Sequence, residues 1–306
     1  MSEDIKLNPT LTTFNDISKS IDDYHQNPAA YKGKSTGSAK LDELVTLKEG
    51  GLVIVTGIPS SGKSELLDQI MLNTMVLHDW HWSVYSPENW PLESHFQKLA
   101  EKWSGKPWAR QGLCQGITSS EVAECREYLS QHINFLDMPN DVGMTVETLI
   151  DACKLSDAKS TTNALLLDPW NELDAAMPSG MSETMYINAC LTRIRNFGRK
   201  HKILIVIVAH PTKLKKNEDG SYPVASPYDI AGSAAWRNKG DVIISVWRDY
   251  ALNDGVVQVH VQKIRNKMLG SLGMVELNWL WTNGLFLEEK AEVSEGSIYA
   301  IKRRLG

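Results

Sequence analysis

Gly57-Ile58-Pro59-Ser60-Ser61-Gly62-Lys63-Ser64 fits the pattern G-x-x-x-x-G-K-[ST] in full, the pattern of a loop that holds a polyphosphate. Its small residues let successive backbone N–H groups turn toward phosphate oxygens, and a helix starting after it adds its positive end. Lys63 is expected to reach the β- and γ-phosphates of ATP or another nucleoside triphosphate, and the Ser64 hydroxyl to ligate Mg²⁺. Gly57, Pro59, Ser60, Ser61, Gly62, Lys63 and Ser64 are therefore the expected nucleotide-binding residues.

Three further residues end short apolar runs. Asp168 closes ALLLD, four apolar residues and an acid, as in the strand that holds the Mg²⁺ water shell of such proteins. Glu88 follows the run SVYS, where it is expected beside the phosphate-loop strand. A carboxylate there can polarise the attacking water as general base; a solvated loop acid is the plainer reading. His210 ends ILIVIVAH and could bond the γ-phosphate and report its loss, against a purely structural histidine.

These tips need strands to carry them. LVIVT (52–56), SVYS (83–86), INFLD (133–137), ALLLD (164–168) and ILIVIVA (203–209) read as buried parallel strands, since both faces of each are apolar. Helical stretches lie between several of them. In 182–200, Ile187, Leu191 and Ile194 share one face, and Arg193, Arg195, Arg199 and Lys200 load the carboxyl-terminal half, where cations complement the helix dipole. The fold class is α/β, with a mostly parallel central sheet and helices on both faces. DVIISVW, VVQVHVQ and MVELNW follow Asp241 on short connections and are expected as antiparallel strands at one sheet edge.

Residues 1–45 differ from the rest. Ile17, Ile21 and Tyr24 fall at i, i+4 and i+7, predicting a short amphipathic helix capped by Asn15 or Asp16, and 28–38 reads as a linker. Such a helix is marginal alone, so its stripe should rest on its own domain or on a neighbouring subunit. The expected division is 1–45, linker with helix, and 46–306, the ATPase domain.

The formal net charge of −5 supplies no global field toward nucleic acid or anionic lipid, though a basic lining can be local. The four cysteines form no C-x-x-C pair and suit neither a disulfide framework nor a zinc site. No apolar run approaches a membrane span, and MSEDIKLNPT carries no targeting signature. The expectation is a cytoplasmic protein of a bacterial or phage-infected cell, with organellar origin less favoured. Ten tryptophans suggest base stacking, but those at 80, 82, 90, 103 and 108 cluster outside the expected DNA loops and read as core and interface packing.

GIPSSGKSE (57–65), YSPEN (85–89), LLLDPWNELD (166–174), IVAHPTK (207–213), YDIAGSAAWRNKGD (228–241) and VQKIRNKMLGSLG (261–273) occur in the order found in ring-shaped replicative helicases. Together they cover most of 36–288 and resemble the DnaB-like superfamily, its Twinkle-like branch in particular. DPWNELD and I-R-N-K-x-x-G-x-x-G are far less generic than the phosphate loop.

The resemblance implies a RecA-like P-loop NTPase core that hydrolyses ATP and translocates 5′ to 3′ on single-stranded DNA. It implies a hexameric or heptameric ring that opens forked duplex DNA, with a primase or polymerase as partner. It makes Glu88 the catalytic base and His210 the phosphate sensor. It also makes Arg265 and Lys267 the cationic fingers offered to the neighbouring site, in the order R-N-K rather than the K-x-R of many ring helicases. DNA is expected on the loops after the Asp168 strand and after His210, with Lys213, Lys215 and Lys216 on phosphates. Arg237 and Asn238 fall where the family joins DNA loop to nucleotide pocket, and either could meet DNA or the γ-phosphate. Forty-five residues cannot hold a primase module, so the chain reads as a helicase motor alone or as part of a longer protein. The alternative is a RecA-like recombinase or regulatory ring ATPase without strand separation.

Overall fold

The computed structural model describes residues 11–112, 114–138, 143–175, 177–250, 255–289 and 301; the opening decapeptide lies outside them. One nine-stranded sheet runs through the molecule in the order β3-β2-β4-β5-β1-β6-β7-β8-β9. Its strands are β1 (Leu52–Thr56), β2 (Trp82–Tyr85), β3 (Ile133–Phe135), β4 (Ala164–Leu167), β5 (Leu204–Val208), β6 (Val242–Trp247), β7 (Val256–Ile264), β8 (Gly273–Trp279) and β9 (Phe286–Leu287). The helices are α1 (Ser18–Gln26), α2 (Ala39–Asp42), α3 (Lys63–His78), α4 (Leu92–Ser104), α5 (Ser119–His132), α6 (Val146–Lys159), α7 (Glu183–His201) and α8 (Ser233–Lys239).

β1 to β6 are mutually parallel and β7 to β9 antiparallel. β6 was expected among the antiparallel strands but pairs in parallel with β1. The segment carrying α8 intervenes between β5 and β6, and a crossover of this kind returns a strand in the same direction. The antiparallel edge begins at β7. Side chains alternate across the sheet, so Val53 and Val55 pack with α3, α4 and α5. Leu52 and Ile54 face the other way, into a core with α6, α7 and Trp236 of α8. Two apolar layers thus clamp β1 and fix the loop at its end.

Trp80, Trp82, Trp103 and Trp236 are buried, whereas Trp90 is exposed. Cys125, Cys153 and Cys190 are buried free thiols; Cys114 is partly exposed. Among the described residues no helix is long and apolar enough to cross a membrane.

α1 forms where periodicity placed it, but neither Asn15 nor Asp16 caps it. Ile17 occupies the cap without a side-chain bond, and the Asp16 carboxylate instead accepts from the backbone N–H (2.6 Å) and hydroxyl (2.8 Å) of Thr13. None of its residues is buried. From Lys34 onward the chain joins the domain: Lys34 bridges to Leu47 and Val45 to Gly270. The Asp42 carboxylate receives the N–H and hydroxyl of Thr36, each at 2.7 Å.

Candidate nucleotide site and trans-acting edge

The phosphate loop turns because two glycines permit it. Gly57 has φ +142°, and a Cβ there would lie 2.2 Å from the Val246 carbonyl of β6. Gly62, φ +97°, precedes the first residue of α3, so the loop delivers Lys63 and Ser64 to a helix amino terminus. The Lys63 ammonium is 5% exposed and donates to the carbonyls of Gly57 and Ile58, both at 2.9 Å. Burial lowers its pKa to about 8, against the attraction of Asp168 and Glu88.

Asp168 sits at the carboxyl end of β4 and is almost fully buried. Burial pushes its carboxyl up to about 6, opposed by a hydrogen bond with Ser64 and by Lys63, while Asp68 and Glu88 push the same way as burial. The Ser64 hydroxyl and Asp168 carboxylate therefore form an oxygen pair. Such a donor set suits Mg²⁺, which takes few protein ligands and keeps several waters.

Glu88 was expected beside β1, but β4 and β5 lie between its strand and β1. It reaches the site from the side: its Oε1 lies 3.8 Å from Nε2 of His210, which follows β5. Burial holds the His210 imidazole below its ordinary pKa, with Lys63 acting the same way and Glu88 opposing. Its Nδ1 is buried and has no hydrogen-bond partner. Lys63, Ser64, Glu88, Asp168 and His210 thus share the carboxyl edge of the parallel strands.

Arg265 and Lys267 do not join them. They follow β7, which runs antiparallel to β6 and ends beside Val242 at the amino edge. The length of β1 separates that edge from the loop, about 17 Å at the usual rise per residue. There Arg265 donates to the Asn238 carbonyl and pairs with Asp241, Nε to Oδ1, at 3.3 Å. Asn238, with Arg265 on its carbonyl, belongs to this edge too.

Lys213, Lys215 and Lys216 are exposed on the 211–230 loop, whose ends are joined by a bridge between Pro211 and Ile230. Arg237, exposed on α8, lies over the ring of Tyr228 at 4.9 Å.

Three groups escaped the sequence reading. Asp241 gathers Arg195 at 2.6 Å, Arg265, and the N–H of Leu52 at 3.1 Å, so it ties the start of β1 to α7 and β7. Lys263 donates to the carbonyls of Arg237 and Gly240 at the end of α8. Tyr250 donates its hydroxyl to the Pro59 carbonyl at 2.8 Å and, with Arg248, Lys216 and Tyr222, lines a cleft of about 300 Å³ against the phosphate loop. The position of WRDY just after DVIISVW becomes informative only once β6 is known to flank β1.

A glycine-shaped phosphate loop, a buried lysine, a serine–aspartate oxygen pair and a nearby glutamate at one edge of a parallel sheet define a P-loop nucleotide hydrolase of RecA-like fold. A family model for the DnaB-like helicase C-terminal domain matches residues 33–287. The chain belongs to that family, and its members are ATP-hydrolysing helicases.

The chain is 34% identical over 283 residues to the Twinkle homolog protein, chloroplastic/mitochondrial, of Arabidopsis thaliana; the match takes in 90% of this chain and 39% of that protein's length. Among solved structures, an isolated ATPase domain superposes with a TM-score of 0.73 at 18% identity, covering 90% of this chain and 99% of that one. A DnaB-like replicative helicase, described with its interactions with primase, gives 0.71 at 17% identity over 92% and 67% of the two chains. The RadB recombinase gives 0.55 at 16% over 84% and 99%; at such identities the likeness is one of fold. The Arabidopsis match corrects the expected setting. That relative is organellar, which points to an organellar rather than a bacterial cytoplasmic origin.

Proposed function

We propose that this chain is the ATP-driven motor of a replicative DNA helicase, acting as a hexameric or heptameric ring that moves 5′ to 3′ on single-stranded DNA and opens forked duplex. The observation that carries this reading is the division of the catalytic set between two edges of one sheet. Lys63, Ser64, Glu88, Asp168 and His210 stand at the carboxyl edge, and Arg265 and Lys267 at the amino edge. A complete site then needs two copies, each placing its amino edge against the next copy's phosphate loop, and repetition closes a ring.

In each site the loop N–H groups and Lys63 hold the β- and γ-phosphates. Ser64 and Asp168 hold Mg²⁺, which when bound neutralises charge on those phosphates. Glu88 takes the proton of the attacking water, and neutral His210 holds the γ-phosphate by a hydrogen bond. Arg265 is the better trans finger, because its planar fork matches phosphate oxygens; Lys267 and Asn238 flank it. The nucleobase is assigned to the cleft beside Tyr250. Lys213, Lys215, Lys216 and Arg237 contact DNA phosphates, giving the sequence-independent grip a translocating motor needs.

Residues 1–45 act as linker and 46–306 as motor. Ile17, Ile21 and Tyr24, with Phe14 and Leu11 before them, leave an exposed apolar stripe on and ahead of α1. That stripe is assigned to a neighbouring subunit. A primase or polymerase is the expected partner at the fork.

The deciding experiment is unwinding of a fork with only a 5′ single-stranded tail beside one with only a 3′ tail, with ATP and Mg²⁺. Displacement of the 5′-tailed fork alone is expected. ATPase activity that ignores single-stranded DNA, with no displacement, would point instead to a regulatory ring ATPase.

A further inference from the structure

The two basic clusters expected to hold DNA each present a cation on a tyrosine ring. Arg237 lies 4.9 Å over Tyr228, and Lys216 lies 5.1 Å over Tyr222. Tyr222 is half-buried, and its carbonyl receives the Trp247 indole N–H at 2.7 Å. Tyr228 differs: it is 62% exposed while its backbone is fixed. The Asp229 carboxylate accepts the N–H and the hydroxyl of Ser226, each at 2.7 Å. The Asp229 carbonyl accepts the N–H (2.6 Å) and hydroxyl (2.8 Å) of Thr212 across the stem of the loop. The Tyr228 N–H itself reaches Ser226 Oγ at 3.3 Å.

An exposed ring is thus held at the closed base of the lysine-bearing loop, with a guanidinium against it. A cation beside an aromatic face is the pairing that single-strand binders use, since any base can stack on the ring while the cation meets the adjacent phosphate. Tryptophan cannot fill this role at Trp80, Trp82, Trp103 or Trp236, which are buried.

We propose that Tyr228 is a stacking platform for an unpaired base of single-stranded DNA, with Arg237 on the neighbouring phosphate. The inference rests on the DNA-motor reading and adds a base contact to its phosphate contacts.

The test compares binding of labelled oligo-dT with that of an abasic sugar–phosphate strand of the same length, by fluorescence anisotropy with a non-hydrolysable ATP analogue. The unsubstituted chain should prefer oligo-dT. Tyr228→Ala should weaken oligo-dT binding by about 5- to 100-fold, the range for one stacked base. It should leave abasic binding and the salt dependence unchanged, and Tyr228→Phe should keep the preference. Equal binding of both strands by the unsubstituted chain would overturn the stacking role and leave the motor reading standing. An equal loss on both strands in Tyr228→Ala would overturn it as well. Failure to bind either strand would overturn both.

Discussion

The guanidinium of Arg265 pairs with the carboxylate of Asp241 at the amino edge of the sheet, at the opposite end of the parallel strands from Lys63. The same carboxylate takes Arg195 and the first N–H of β1, and Arg199 stands 3.9 Å away. The cations that load the end of α7 therefore serve as more than dipole partners: they brace the residue that orients the finger. The strand that begins at Asp241's bond to Leu52 ends at the phosphate loop. A shift of Arg265 is thus communicated to a neighbour's nucleotide and to the root of its own loop through a single carboxylate.

Separation of the two edges predicts complementation. Lys63→Ala and Arg265→Ala should each abolish ATP hydrolysis on their own. Mixed, they should recover part of it, because an Arg265→Ala subunit still offers an intact loop to the finger of a Lys63→Ala neighbour. Steady-state turnover against mixing ratio measures this; a mixture as inactive as its components would place Arg265 outside the neighbour's site.

Glu88→Gln keeps the shape of the side chain and removes the base. Turnover should fall about 10²- to 10⁴-fold with little change in KM for ATP. Comparable losses in kcat and affinity would make Glu88 a binding residue.

Two perturbed groups set the pH dependence of kcat/KM. Asp168, raised to about 6, must be ionised to hold Mg²⁺, so activity should fall as pH drops through about 6. Lys63, lowered to about 8, must be protonated to hold phosphate, so activity should fall as pH rises through about 8. The profile should be a bell with limbs near these values, and kcat/KM reports the free protein's groups. Higher Mg²⁺ should move the acid limb to lower pH, since metal and proton compete for Asp168. A profile flat to about pH 9.5 would remove Lys63 from the alkaline limb.

The exposed lysines of the 211–230 loop should act through charge alone. Replacing Lys213, Lys215 and Lys216 together by alanine should weaken single-stranded DNA binding and lower the slope of log K against log salt by about 2, at roughly 0.7 per phosphate contact. An unchanged slope would mean that the loop meets no phosphate.

What is local and continuous could be read from the residues alone. The phosphate loop was legible because Gly57 and Gly62 must adopt backbone angles with positive φ and because strand, loop and helix follow one another without a break. The buried strands were legible because parallel strands covered on both faces must be apolar along their length. α1 was legible from its stripe; its cap was not, because the Asp16 carboxylate had a competing partner in Thr13. Strand order belonged to the fold as a whole, since pairing is decided by contacts between segments far apart in the chain. That order placed β4 and β5 between Glu88's strand and β1, brought Glu88 to His210 across the carboxyl edge, and made β6 a parallel neighbour of β1. It also sent Arg265 to Asp241, 24 positions back in sequence and at the far edge from Lys63. No periodicity or spacing could place that pair, because a hydrogen bond between distant residues exists only after the sheet has closed around it.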